Sequence, residues 1–211
     1  MDERKKPVII IEHLEQEMGI WILLEYRHSS LIYGKDYLWL TNIPTKYHRI
    51  FSKYALRVYS ESLLDLVRKS IVRSDEILVL DPQAEEELTY GDLLEFKYIV
   101  IGGILGDHPP RGRTKKLLTD KLGNVEARNI GDGQYSIDGA VYYVDYLWKN
   151  RNLKGFKYVD GVVIEAVDSE IRLPFRYPVV NGKPLLAPGL IEYLSTGKTP
   201  DYILRELGLT K

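Results

Sequence analysis

Three short apolar runs constrain the fold more than anything else in the chain. They are VIII at 8–11, ILVL at 77–80 and YIVI at 98–101. Each is too short for a helix and lacks the polar alternation of a half-exposed strand. Continuous apolar strands of this kind belong in a parallel sheet covered on both faces. The segments between them supply the cover. Ile20, Leu23, Leu24 and Leu31 fall at nearly helical spacing, so 18–32 is predicted to be a helix closed by Gly34. Leu63, Leu64 and Val67 mark a helix around 60–70, and AEEELTYGDLLEF carries an acidic helical turn. DYLWLTN (36–42) and VEARN (125–129) read as further strands.

The clearest helix is SIDGAVYYVDYLWKN, with Ile137, Ala140, Val141, Val144, Leu147 and Trp148 on one face. Ser136 is placed as its N-cap and Asp138 in its first turn. FKYVDGVVIEA (156–166) reads as extended and LPFRYPVV (173–180) as a proline-bounded segment. In TPDYILRELG, Thr199 is predicted to cap a last helix, with Pro200 at its first position and Gly208 past its end. The expected class is α/β, a mostly parallel sheet flanked by helices. At 211 residues it is expected to be a single domain over 1–211, with 156–211 as an extension packed on it.

Charge and composition narrow the function. A net charge of −1 is not that of a general polyanion binder. The absence of cysteine excludes disulfides, thiolate nucleophiles and cysteine-held metal. His13, His28, His48 and His108 have no metal-ligand spacing, so no metal is expected. MDERKKP leads into only four apolar residues, which is neither a signal peptide nor a membrane span, and a cytoplasmic location is expected.

In an open α/β sheet, ligands gather beyond the carboxyl ends of the strands. Three such ends are loaded here: Asp81-Pro82, Gly102 to Asp107, and Asn129 to Gly133. Neither GxGxxG nor GxxxxGK[ST] spacing occurs, and each loop carries an aspartate that would repel phosphate. A cationic or neutral ligand suits them better. One such loop would read simply as a strand-to-helix turn; three at three strand ends favour a binding site.

The string GGILGDHPPRGRT (102–114) closely resembles the SPOUT-fold protein arginine methyltransferases of fungi and their archaeal relatives. IIEH (10–13), LLEY (23–26), VLDP (79–82), IGDGQYSIDGAV (130–141), LPFRY (173–177) and GKPLLAPGLIEYL (182–194) follow in the family's order. The resemblance implies a SPOUT-type sheet whose C-terminal half is tied in a trefoil knot, an exception to the rule that chains are unknotted. It also implies S-adenosylmethionine as cofactor, gripped by three loops. Carried onto this chain, the cofactor residues are Leu80, Asp81 and Pro82; Gly102, Gly103, Ile104, Leu105, Gly106 and Asp107; and Asn129, Ile130, Gly131, Gln134, Tyr135, Ser136 and Ile137. Tyr135-Ser136 stands where the family often has methionine and threonine, and Gly112 where it is often acidic.

An arginine acceptor is a guanidinium without a free lone pair, so its site must orient it and take a proton. Asp107 and Glu12 are the carboxylate candidates for catalysis, with His108 as a proton relay. His13, Arg111, Arg113 and Asp132 are assigned to the substrate. Asp107 equally suits a turn cap, and Glu12 and His13 a solvated strand end. Arg111 and Arg113 suit an internal ion pair, the cofactor carboxylate, or an acidic or RNA partner. His28 and His48 lie in surface-like stretches and read as structural, and Arg176 as an ion-pairing or stacking residue. Methylation of a ribosomal protein leads. A tRNA or rRNA acceptor is the alternative, supported by Arg111, Arg113, Lys115 and Lys116. A non-enzymatic nucleoside-binding module fits the loop motifs less well. Monomer and homodimer both stay open.

Overall fold

The apolar runs become neighbouring parallel strands in the computed structural model, which describes residues 5–106, 111–166 and 170–209. In chain order the elements are β1 (Val8–His13), α1 (Ile20–Tyr33), β2 (Leu38–Thr41), α2 (His48–Phe51), β3 (Arg57–Val58) and α3 (Leu63–Arg68). Next come β4 (Ile77–Leu80), α4 (Tyr90–Glu95), β5 (Tyr98–Gly103), α5 (Asp120–Leu122), β6 (Glu126–Arg128) and α6 (Ile137–Asn150). The last part holds β7 (Tyr158–Glu165), β8 (Glu170–Val180), β9 (Lys183–Pro184), α7 (Leu190–Thr196) and α8 (Asp201–Leu207).

The six parallel strands run in the order β3-β2-β1-β5-β4-β6. Alternation along each strand divides the core in two. Ile9, Ile11, Leu78 and Ile99 face α1 and α6, meeting Leu24, Tyr26, Val141 and Val144. Ile10, Val79 and Val100 face the other way, onto Leu63 and Leu66 of α3. Ile9, Ile10 and Ile11 are wholly buried, each worth about 1.5–3 kcal/mol in apolar burial. That two-sided burial explains why these strands are apolar at every position.

Strand order also gathers the three loaded loops. β5, β4 and β6 are adjacent, and Leu80 lies opposite both Ile101 and Arg128. Asp81, Gly102 and Asn129 therefore come level at one end of the sheet, with Gly102 still paired to β1.

The caps behave as their chemistry predicts. Ser136 accepts a hydrogen bond from Gly139 N–H at the start of α6, and Gly34, at φ 94°, closes α1. The last helix differs by one residue: Pro200 is its N-cap and Asp201 its first helical position. The segment read as proline-bounded lies inside an eleven-residue strand, β8, paired antiparallel with β7 and β9. Proline cannot donate to a ladder, and Pro174 avoids the need. It falls where the β7–β8 register shifts, opposite Gly161 at φ +79°. Among the described residues no helix is long and apolar enough to cross a membrane.

Candidate active site

The loops after β4, β5 and β6 enclose a cavity of about 230 Å³. Its floor is apolar, made by Leu80, Ile101, Ile130, Ile137 and Ala140. Asp81, Asp132 and Gln134 bring polar groups to its walls, and Arg111 lies exposed beside it. Of the residues assigned to the cofactor, Leu80, Asp81, Pro82, Gly102, Ile104, Ile130, Gly131, Gln134, Tyr135, Ser136 and Ile137 line this space. So do Arg111, Arg113 and Asp132, assigned on sequence to the substrate. Gln83, Ile101, Gly112, Thr114 and Ala140 also line it, and sequence reasoning misses them, whereas Gly133 belongs to the third loop it singles out. The apolar positions flanking the loops are the signal that would find Ile101 and Ala140. Asp107 and His108 lie outside the described residues.

Gly103, Leu105, Gly106 and Asn129 do not line the cavity. Asn129 shapes it instead: its side chain accepts from Gly131 N–H and donates to the Ala84 carbonyl, both at 2.9 Å. Asp81, nearly fully buried, is fixed by Gln83 N–H at 3.0 Å and by the Thr119 hydroxyl at 2.7 Å. Thr119 ends a π-helical turn, Lys115–Thr119. Arg113 pairs with Glu15 at 3.0 Å and donates to the Leu105 carbonyl. Glu15 also accepts from Leu105 N–H. The Arg113 charge thus knits the loop after β5 to the segment after β1.

Glu12 and His13 leave β1 on opposite faces, as successive strand residues must. The Glu12 carboxylate is buried towards α3, where one oxygen accepts both from the Thr41 hydroxyl and from Leu63 N–H. His13 is buried towards α1, its Nδ1 3.0 Å from the Tyr26 hydroxyl. Neither lines the cavity. Burial raises the Glu12 pKa against its two hydrogen bonds, and burial lowers that of His13. A carboxylate with a raised folded pKa contributes stability that is lost as pH rises from its ordinary value through the folded one. Glu12→Gln keeps an oxygen for both donors and removes the charge. It should flatten that loss in denaturation midpoints measured from pH 4.5 upward while leaving ligand affinity and turnover within about threefold. A collapse of turnover would return Glu12 to the chemistry.

His28 is buried rather than on the surface. Its Nδ1 lies 2.7 Å from Asp138, whose other oxygen accepts from the Ser136 hydroxyl at 2.7 Å. The pair braces the capping residue that ends the third loop. His48 Nε2 lies 3.0 Å from the Ile43 carbonyl. Arg176 of β8 is both ion-paired and stacked. It contacts Asp160 through Nε at 2.7 Å and Nη2 at 3.0 Å, and Asp132 through Nη1 at 2.8 Å. Its guanidinium carbon stands 3.9 Å over the Tyr158 ring. The bonds to Asp160 foremost hold its pKa further up.

A second, narrower cleft adjoins the cavity and shares Ile104, Ser136 and Ile137 with it. Leu105, Gly106, Phe175 and Glu25 complete its walls. Sequence reasoning passes over Glu25, although a carboxylate inside the apolar ILLEY run of a buried helix is a visible anomaly.

The family model "Protein arginine N-methyltransferase SFM1-like" matches residues 8–200 of this chain. Protein arginine N-methyltransferase SFM1 of Saccharomyces cerevisiae is 32% identical over 197 residues, covering 88% of this chain and 92% of the yeast protein. The crystal structure of the yeast enzyme complexed with SAM superposes with a TM-score of 0.80 at 29% identity, over 92% of both chains. That of its SAH complex gives 0.77 at 31%, over 89% of this chain and 94% of the other. Dual-specific Trm10 from Thermococcus kodakaraensis, at 19% identity and a TM-score of 0.52 over 70% of this chain and 95% of its own, shares the fold. The three-loop cavity thus sits on a chain similar to the yeast enzyme over nearly its whole length, and the chain belongs to the SFM1-like family of protein arginine N-methyltransferases.

Proposed function

We propose that this protein transfers a methyl group from S-adenosylmethionine to an arginine side chain of a protein. The observation that carries the reading is the convergence of three loops, at the ends of β4, β5 and β6, on one cavity. The residues there fit the cofactor. Leu80, Ile101, Ile130, Ile137 and Ala140 offer a flat apolar floor for a nucleobase. Asp81, with both oxygens already bonded, presents a rigid carboxylate, and Asp132 adds negative charge suited to a sulfonium or ammonium group. Arg111 is placed to meet a carboxylate. The bound cofactor supplies an electrophilic methyl on sulfur. The chain's task is positioning, which can be worth about 7–11 kcal/mol in a well-held geometry.

The resemblance carried by residues 102–114 extends the proposal to a ribosomal protein acceptor in the cytoplasm. It also extends to a single domain whose C-terminal half is threaded as a trefoil knot. In keeping with the knot, the chain leaves the sheet at β6, its edge, and α6 returns to pack on α1. Asp107 and His108 stay candidates for the chemistry. A protein acceptor is favoured over RNA because Arg113, one of the four cations of the basic cluster, is engaged by Glu15.

Incubation with methyl-labelled S-adenosylmethionine and separated ribosomal proteins and RNAs is expected to label protease-sensitive material. Label confined to nuclease-sensitive material would overturn the protein acceptor. Calorimetry with S-adenosylhomocysteine tests the cavity, and an absence of binding heat would overturn the cofactor.

A further inference from the structure

Glu25 is a buried carboxylate that meets no cation among the described residues. It is 1% exposed and lies at the narrow cleft beside the cofactor cavity. One oxygen accepts from the Trp21 indole N–H at 2.6 Å and the other from Ile137 N–H at 3.0 Å. Each oxygen keeps a second lone pair, and among the described residues no further donor and no positive side chain meets it. A buried carboxylate is ordinarily paired, because an uncompensated charge in a poorly polarisable surrounding is costly. Here burial, and next the Asp138 carboxylate, push the Glu25 pKa well up.

Its surroundings are those of a cation seat. Phe175 lines the cleft, and Trp21 meets that ring edge to face, centroids 6.5 Å apart. Aromatic walls beside a carboxylate suit a planar guanidinium. The Tyr177 hydroxyl, close enough to feel both Glu25 and Asp138, is buried with no hydrogen-bond partner among the described residues. An orphaned buried hydroxyl costs stability unless something completes it. The cleft meets the cofactor cavity along Ile104, Ser136 and Ile137. A group seated on Glu25 is thus beside that space.

We propose that Glu25 is the catalytic carboxylate that seats the acceptor guanidinium, between Phe175 and the loop Ile104–Gly106. This rests on the methyltransferase reading above. The walls meet too closely to admit water, so the incoming side chain parts Leu105 and Gly106 from Phe175. Pairing with the cation ionises Glu25 and holds the guanidinium plane. In the transfer, a nitrogen electron pair forms the new N–CH₃ bond as the S–CH₃ bond breaks and its pair stays on sulfur. The proton shed by that nitrogen passes to Glu25. The product guanidinium keeps its charge.

The groups facing Glu25 are Trp21 and Tyr26 on α1, Asp138 on α6 with its partner His28, and Tyr177 on β8. Of these, Trp21 favours the ionised form by its hydrogen bond and Asp138 opposes it. Acceptor binding should therefore strengthen as pH rises.

The test uses the full chain saturated with S-adenosylhomocysteine. The probe is N-acetylarginine methylamide, and its uncharged citrulline counterpart is the control. The Trp21 indole N–H resonance, identified by its loss in Trp21→Phe, should shift with the arginine compound and not with citrulline. In Glu25→Gln the arginine compound should bind about tenfold more weakly or worse. S-adenosylhomocysteine affinity within about threefold of wild type shows that this variant is folded. An equal response to citrulline, an undiminished affinity in Glu25→Gln, or no response in the wild type overturns the seat. If Glu25→Gln fails to fold, Trp21→Phe carries the test by calorimetry. The pH at which arginine binding reaches half its limit should move up, and an unmoved midpoint overturns the proposal. Loss of S-adenosylhomocysteine binding by the wild type would instead defeat the cofactor reading.

Discussion

Gly103→Ala is expected to destabilise the protein by about 3 kcal/mol, at the upper end of overpacking costs, and to lower its melting midpoint by roughly 6–12 °C. A Cβ at Gly103 would run into the Tyr26 hydroxyl and stand 2.9 Å from the Glu12 carbonyl. Neither obstacle can yield. Tyr26 is wholly buried, bonded to His13 and packed against Phe51, ring centroids 5.6 Å apart. The Glu12 carbonyl belongs to the central strand, paired in register with Gly102. Gly19→Ala is the control, since a Cβ there meets nothing within 4 Å and φ is −76°. Equal melting midpoints for the two variants would show that β1 and α1 are not packed as described. Gly103 is thus needed where α1 crosses the end of the sheet, and it does not line the three-loop cavity.

Arg176→Met should weaken S-adenosylhomocysteine binding about tenfold while changing the melting midpoint little. The two effects separate because the partners differ in exposure from Arg176 itself. The side chain of Arg176 is 8% exposed, whereas those of Asp132 and Asp160 are 91% and 64% exposed. Water screens such pairs, so their contribution to stability is small. Their geometry matters more. The guanidinium holds Asp132 at 2.8 Å and fills the place a Cβ on Gly133 would need. Arg176 N–H also donates to the Gln134 carbonyl at 2.8 Å. Asp132, Gly133 and Gln134 are all cavity lining. Arg176→Lys should not restore affinity, because an ammonium cannot reproduce the forked contact with Asp160. Unchanged affinity in the methionine variant, read by calorimetry, would show that the small sheet does not brace the cofactor loop.

Features legible in the sequence share a short reach. The run YIVIGG announces a buried strand within six residues, and Ser136 with Asp138 announces the start of α6. The same applies to the loops at 81, 102 and 129, since glycine and aspartate at strand ends state their conformational freedom locally. Pro174 misleads for the converse reason. Whether a proline ends a strand or sits in a bulge depends on Gly161, thirteen residues away across the hairpin. Glu12 and His13 look alike as neighbours at a strand end. The layers above and below the sheet give one to α3 and the other to α1.

Local periodicity and capping chemistry thus determined the apolar strands β1, β4 and β5, the helices α1 and α6 and the position of the three loaded loops. Tertiary structure alone decided that β5, β4 and β6 lie side by side, which turns three loops into one cavity. It also decided that Glu25 meets Ile137, 112 residues further along, and that Arg176 reaches back to Asp132. The physical reason is range. Backbone preference acts over a turn or a strand, whereas strand order and the pairing of buried charges depend on contacts that exist only once the chain has closed on itself.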